Sequence, residues 1–358
     1  MRLLALFFAL FIFAITPILA QQTLEKQPPV AEKHLRNIRQ LTFGGDNAEA
    51  YWSPNSKWLT FQSNNPVWGL KCDHIFAMDV DKAADNPGYR PLGISGGKGR
   101  TTCSYFMPDG KHILFASTMA AADSCPPAPD VRPGGKYLWA VYDSYDIYVA
   151  DLKGKIVKRL TDWPGYDAEA VLSPKGDKIL YTSTRSGDLE LWTMNLDGSD
   201  PRQITFDLGY DGGAFFSPDG SQIVFRASRP KTGAEIREYR ELLAQGLVAP
   251  TSMEIFMCNA DGTGLRQVTR LGKANWAPFL HPSGKKIIFS SNHHSTRGYD
   301  FQLYMVALDG TGLEQITSES IFNAFPMFSP DGKRIAWSSN RNNNGTRDTN
   351  VFVADWVD

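Results

Sequence analysis

Six small polar side chains recur at one fixed distance ahead of a repeated proline turn, and they are the residues here best spaced to act together. Counting six places back from the residue before each turn Pro gives Asn47, Thr101, Asp167, Asp211, Asn275 and Asn323. Two places further on, two of these segments add a carboxylate, Glu49 and Glu169, with Tyr166, Tyr210, Trp276 and Phe325 close by. Gathered around one axis, such residues form an oxygen-rich ring able to hold a cation, a sugar or a peptide end. Among metals, calcium suits carboxylate and amide oxygens of this kind. The same residue types also cap turns by bonding local backbone N–H groups, with or without a ligand. The sequence leaves both readings open.

Other reactive patterns are weaker. Gly93-Ile-Ser-Gly-Gly97 matches G-x-S-x-G, but a nucleophile elbow needs a strand-to-helix turn with Asp and His further along, and this match ends a strand. His293-His294 lack an H-E-x-x-H context or a nearby carboxylate at zinc spacing. No phosphate-cradling Gly-rich loop opens a helix. No catalytic residue and no metal site is therefore assigned, and the chain is expected not to be an enzyme.

The elements that position the ring come from one four-residue signal. It reads Ser53-Pro-Asn-Ser56, Met107-Pro-Asp-Gly110, Ser173-Pro-Lys-Gly176, Ser217-Pro-Asp-Gly220, His281-Pro-Ser-Gly284 and Ser329-Pro-Asp-Gly332. Pro presets the second position of a turn, Asp tolerates the third, and Gly takes a left-handed fourth. Ser56 must adopt that backbone at a cost of about 1 kcal/mol. Each turn joins two short aromatic-rich strands. A third strand runs into an Asp-Gly turn at Asp197, Asp261 and Asp309, and a fourth ends in patterns such as Arg202-Gln-Ile-Thr205. Six such units, each of four antiparallel strands, spell an all-β, six-bladed β-propeller. The sixth unit reaches only its third strand, Asn350–Ala354. Its missing fourth strand appears near the start, as Ile38-Arg-Gln-Leu-Thr42. The ring is expected to close by pairing these two, which removes open sheet edges.

Strand direction sorts the loops. The proline and Asp-Gly turns share one rim, called here the turn rim. The connections between second and third strands and between blades share the other. Two insertions rise from that second, insertion-bearing rim. Met119–Ser144 is rich in Ala, Pro and Gly. Arg229–Ser252 holds a helix in blade four, with a Thr232/Glu235 capping box and Gly246 and Pro250 as its stop. Ile236, Tyr239, Leu243 and Leu247 form its apolar stripe, read either as packing on the blade below or as a partner-docking element. Cys72, Cys103 and Cys125 belong to the same rim. Cys103–Cys125 is the preferred disulfide and Cys72–Cys125 its rival, since sequence cannot settle connectivity. Cys258, inside a strand pattern, is expected to be a buried free thiol.

Composition narrows the function classes. The chain has 37 basic and 38 acidic side chains, a balance that argues against nucleic-acid or anionic-membrane binding. Arg2, the apolar run Leu3–Ala20 and polar Gln21-Gln22 read as a cleaved signal peptide over residues 1–20, giving export to the periplasm. No later segment is long and apolar enough to span a bilayer. Residues 21–36, with Pro28-Pro29, read as a flexible tail, and 37–358 as the propeller.

The repeat, an aromatic followed by S-P-D-G and I-x-F-x-S, resembles the TolB-type propeller over about residues 37–357. TolB itself carries an α/β domain ahead of its propeller, whereas only residues 21–36 precede the ring here. The resemblance implies a partner-binding propeller for an envelope protein or peptide, including a lipoprotein such as Pal. The chain is expected to be a monomer, with no cofactor other than the calcium considered above. The alternative is a channel-mouth lyase or hydrolase on carbohydrate or peptide, using Asp167, Glu169, Asp211 and Glu49 with or without a metal. A carbohydrate-binding module is a third reading.

Overall fold

A computed structural model of the chain describes residues 31–127 and 136–358. The expected signal peptide, residues 21–30 of the expected tail, and residues 128–135 of the first insertion lie outside them. Six four-stranded antiparallel sheets form the six blades. Their first strands are Asp46–Trp52, Thr101–Phe106, Asp167–Leu172, Asp211–Phe216, Asn275–Leu280 and Asn323–Phe328. The strand Leu35–Gln40 pairs antiparallel with Asn350–Trp356, Leu35 opposite Trp356 and Gln40 opposite Phe352, so the ring closes as expected. Order begins ahead of the expected boundary at residue 37. Glu32 accepts backbone N–H groups from Ser318 and Glu319 and pairs with buried Arg341, while His34 stacks on Trp356 with centroids 4.9 Å apart.

The proline turn explains itself residue by residue. In blade four the Ser217 hydroxyl accepts the Gln222 N–H at 2.9 Å and donates to Asp219. The Gly220 N–H returns to the Ser217 carbonyl at 2.8 Å. Gly220 sits at φ +73°, and Ser56 accepts the same left-handed backbone at +58°. The hydroxyl and N–H donors hold the exposed Asp219 carboxyl down at about 2.

Each blade is filled by one cross-strand aromatic pair between its second and third strands. The partners are Phe61 and Phe76, Phe115 and Tyr148, Tyr181 and Trp192, Phe225 and Phe256, Phe289 and Tyr304, and Trp337 and Phe352. Such pairs combine large apolar burial with favourable ring geometry. Among the described residues no helix is long and apolar enough to cross a membrane.

Deleting residues 31–40 would leave Asn350–Trp356 as an unpaired edge. The truncated protein is expected to lose its cooperative melt or its solubility. An unchanged melting temperature by circular dichroism would contradict the closure.

Candidate functional site

The first residue or two of each innermost strand meet the preceding blade. At every junction one backbone N–H crosses over: Asn47 to Thr349, Thr101 to Asp73, Asp167 to Tyr145, Asp211 to Leu189, Asn275 to Met253 and Asn323 to Phe301, at 2.8–3.2 Å. The side chains follow the backbone. Asn47 donates to the Gly44 and Thr349 carbonyls and accepts from Ser63. Asn275 does the same with Met253, Gly272 and Ser291. Asn323 donates to Glu319 and Gln302 and accepts from Trp337. Thr101 donates to the Asp73 carbonyl, and Asp167 and Asp211 pair with Arg185 and Arg229. All six are at most 1% exposed. Their expected place on the channel surface is corrected accordingly: they lie inside the blade junctions. Among the described residues no three His, Cys, Asp or Glu side chains come together as a metal-holding group.

Two residues further on, the strands turn inward. Glu49, Cys103, Glu169, Gly213, Ala277 and Phe325 all adopt left-handed backbone, with φ between +46° and +57°, and the ladder slips register beside each. A bulge of this kind re-aims side chains, and here the six bulge residues, five of them with side chains, line the channel around a cavity of about 20 Å³. That is room for about one water. Of the eight expected ligand-binding residues, only Glu49 and Glu169 face this chamber.

The chamber's electrostatics centre on a residue that the sequence reading passed over. Arg226, from the second strand of blade four, reaches the axis because Gly213 leaves no side chain in its way, while Gly212 makes room for Glu169 and Tyr210. It pairs with Glu169 and donates to the Tyr210 hydroxyl at 2.7 Å. Glu169 also accepts from Thr182, Tyr210 and the Gly213 N–H, each at 2.8 Å. Burial works against the Arg226 charge, but Glu169, Tyr210 and Glu49 more than offset it and hold the guanidinium charged. Glu49 has no cation of its own. Burial pushes its carboxyl upward, and burial together with Glu49 and Glu169 pushes the Cys103 thiol well above its ordinary value. The signal was visible: the equivalent second-strand positions are Gln62, Ala116, Thr182, Ser290 and Ser338, and only blade four sets an Arg opposite a Gly pair.

Aromatic side chains flank the chamber on both sides. Toward the turn rim, Tyr51, Tyr105, Phe215 and Phe279 form an aromatic layer, with Phe215 5.6 Å from Tyr51 and 5.1 Å from Phe279. Toward the other rim, the two insertions pair with each other, Leu247 opposite Ala140 and Val248 opposite Trp139. Trp139 lies 4.9 Å from the Arg226 guanidinium and 5.0 Å from Trp276.

The helix spans Gly233–Ala244 with the expected capping box. Tyr239 is buried and donates to Asp188, Leu247 is buried in the ribbon beyond the helix, and Ile236 and Leu243 are half-buried. The stripe thus packs downward. The disulfide is Cys72–Cys125, with Cα atoms 6.1 Å apart, which corrects the preferred Cys103–Cys125. Cys103 is a bulge residue committed to the channel wall. Cys72, on the loop between the second and third strands of blade one, lies against Gly99 of the next connection, whose N–H donates to the Asp123 carbonyl of the first insertion at 2.9 Å. Cys258 is a buried free thiol. Ser95, in the G-x-S-x-G match, accepts the Ile75 N–H, the bond that Thr205 makes to Leu191 in blade three. His294 bonds the Tyr304 hydroxyl and His293 packs on its ring at 4.5 Å.

Residues 117–240 match the family model described as TolB beta propeller domain. A search of curated proteins finds no match. Among solved structures, the chain is similar to a protein described as TolB from Agrobacterium tumefaciens, with a TM-score of 0.58 and 19% identity over 90% of this chain and 97% of that one. It is also similar to TolB from Acinetobacter baumannii, with a TM-score of 0.54 and 19% identity over 77% of this chain and 55% of that one, about half its length. An oligogalacturonate lyase from Vibrio parahaemolyticus gives a TM-score of 0.53 and 12% identity over 88% and 79% of the two chains. These likenesses establish a TolB-like propeller fold.

Two electrostatic outcomes follow. Arg226→Met strands the Glu169 carboxylate and should cost about 3–5 kcal/mol in urea unfolding. Adding Glu169→Gln should recover much of it, and an additive double variant would refute the coupling. In the junction between blades three and four, burial and then Asp211 push the Glu190 carboxyl up to about 9, and burial pushes Asp211 up to about 6 against the pull of Arg229. Raised carboxyls bind protons more tightly folded than unfolded, so this pair stabilises at low pH and loses that contribution as pH rises toward 9. Glu190→Gln should therefore raise the melting temperature at pH 8 while matching the parent near pH 4.

Proposed function

We propose that this TolB-like propeller is a periplasmic binding scaffold for a protein or peptide of the cell envelope, engaged on its insertion-bearing rim. One observation carries the reading. The loops of this rim leave large apolar side chains in solvent, with Trp163 52% and Phe206 74% exposed on the connections flanking blade three, and Phe43, Tyr137, Tyr299 and Ile321 exposed on other loops of the rim. Exposed apolar surface of this kind marks interaction sites. Aromatic residues are also those enriched where partners bind.

The channel interior supports the same reading. Its one charged pair is closed on itself, and three of the four carboxylates of the lyase or hydrolase alternative are paired with arginines, Asp167 and Asp211 inside junctions and Glu169 with Arg226, which leaves Glu49 with the Tyr51 hydroxyl. Resemblance to an oligogalacturonate lyase at 12% identity brings over the fold and no chemistry. Within this proposal a Pal-like lipoprotein is one partner, and the signal peptide read from residues 1–20 supplies the route to it.

Crosslinking in intact envelopes should capture one stoichiometric partner. Phe206→Ser with Trp163→Ser is expected to lose that partner at an unchanged melting temperature. Capture that survives the double substitution would overturn the reading. A rise in melting temperature with calcium, manganese or oligosaccharides would instead favour the enzyme or carbohydrate-binding alternative.

A further inference from the structure

The opposite rim carries a concave site that the reading above does not use. Below the aromatic layer the channel opens as a pit of about 420 Å³. Its wall is a ring of Pro54, Pro108, Pro174, Pro218, Pro282 and Pro330, one from each blade. The ring is continuous where neighbouring turns touch. A Cβ built on Gly176 would come 2.9 Å from Pro108, one on Gly220 3.3 Å from Pro174, and one on Gly332 3.4 Å from Pro282. Turn glycines are therefore needed for close approach as well as for positive φ. The floor is apolar, supplied by Tyr105, Phe215, Phe216 and Phe279.

Charge surrounds the pit asymmetrically. Lys57, Lys111, Lys175, Lys285 and Lys333 follow or belong to five of the six turns, and all are exposed. None of the five forms an ion pair among the described residues. The turns also carry four carboxylates that keep their charge: Asp109 bonded to His112, Asp177 to Ser173, Asp219 to Ser217 and Ser221, and Asp331 to Ser329 and the Lys333 N–H. Counted through the first residue of the following strand, the six turns hold eight cations, the five lysines with Lys178, Lys286 and Arg334, against these four anions. An apolar, concave centre of ligand-site volume inside a basic collar has a defined complement.

We propose that the turn rim is a second binding site, for an acidic polypeptide segment that drops one large apolar side chain into the proline-lined pit. The pit stops at the aromatic layer, which suits a side-chain anchor. Lysines from five blades lie around the mouth, so a strand crossing it meets positive charge on both sides of the anchor. Anionic lipid shares the apolar-plus-acidic chemistry and is the competing occupant.

The test uses the mature full-length protein and fluorescein-labelled heptapeptides with one central Trp among Asp and Glu, read by polarisation. Saturable binding that weakens several-fold with added salt is expected. Replacing the Trp by Ser, or the acidic residues by Lys, should abolish it. Lys57→Glu/Lys111→Glu/Lys333→Glu should weaken it by about tenfold or more, and Pro174→Asp, at an exposed turn position, should do likewise by placing a charge in the wall. Thermal melts check that each variant stays folded. Phe206→Ser with Trp163→Ser should leave this binding intact, which separates the site from the one on the other rim. The proposal is overturned if no acidic peptide binds saturably, if Lys and Glu peptides bind alike, if the variants bind as the parent does, or if phosphatidylglycerol vesicles bind while the peptides do not.

Discussion

A single backbone hydrogen bond, made six times, organises this molecule. At each junction the N–H at the start of an innermost strand donates to the carbonyl just ahead of the third strand in the preceding blade. That bond brings the innermost strands around one axis, and it places the next polar side chain where water is excluded. A buried polar group must then find partners, which is why Asn, Asp or Thr occupies the position. Where the residue is Asp, as at 167 and 211, an Arg eighteen places later closes the charge.

The bulge two residues further on has the opposite consequence. Left-handed backbone at Glu49, Cys103, Glu169, Gly213, Ala277 and Phe325 turns one residue per blade toward the channel. The six bulge residues that line the channel are dissimilar. Two acids, a thiol, a Gly, an Ala and a Phe cannot form a symmetric site. Arg226 breaks the symmetry further by entering over Gly213 of blade four. An ion pair lies inside the chamber, with Trp139 above and four aromatic rings below. The two rims differ in chemistry: exposed aromatics on loops at one, a proline-lined pit with exposed lysines on five of its six turns at the other.

Much of this could be read without coordinates. The proline turns, the six units, the closing strand, the capped helix and the buried Cys258 all rest on local rules of turn geometry and two-residue periodicity, which operate over a few neighbours along the chain. The two rims followed from strand direction alone. The positions around the axis were correctly aligned, yet which way their side chains point was not legible. A bulge breaks the alternation on which such a reading depends, so Asn47 and Glu49 share a parity in sequence but not a destination in space.

Other features were decided only by the tertiary structure. Cys125 could reach either of two cysteines by sequence, and the path of the first insertion over blade one selected Cys72. The insertions of blades two and four, separated by an entire blade, pair as a ribbon over the channel. Arg226 finds Glu169 fifty-seven residues away because a ring brings neighbouring blades into contact regardless of loop length. Sequence therefore determined the repeating unit and its count, since each is built from contacts between near neighbours. The three-dimensional ring decided which groups share the axis, because that depends on where distant blades converge.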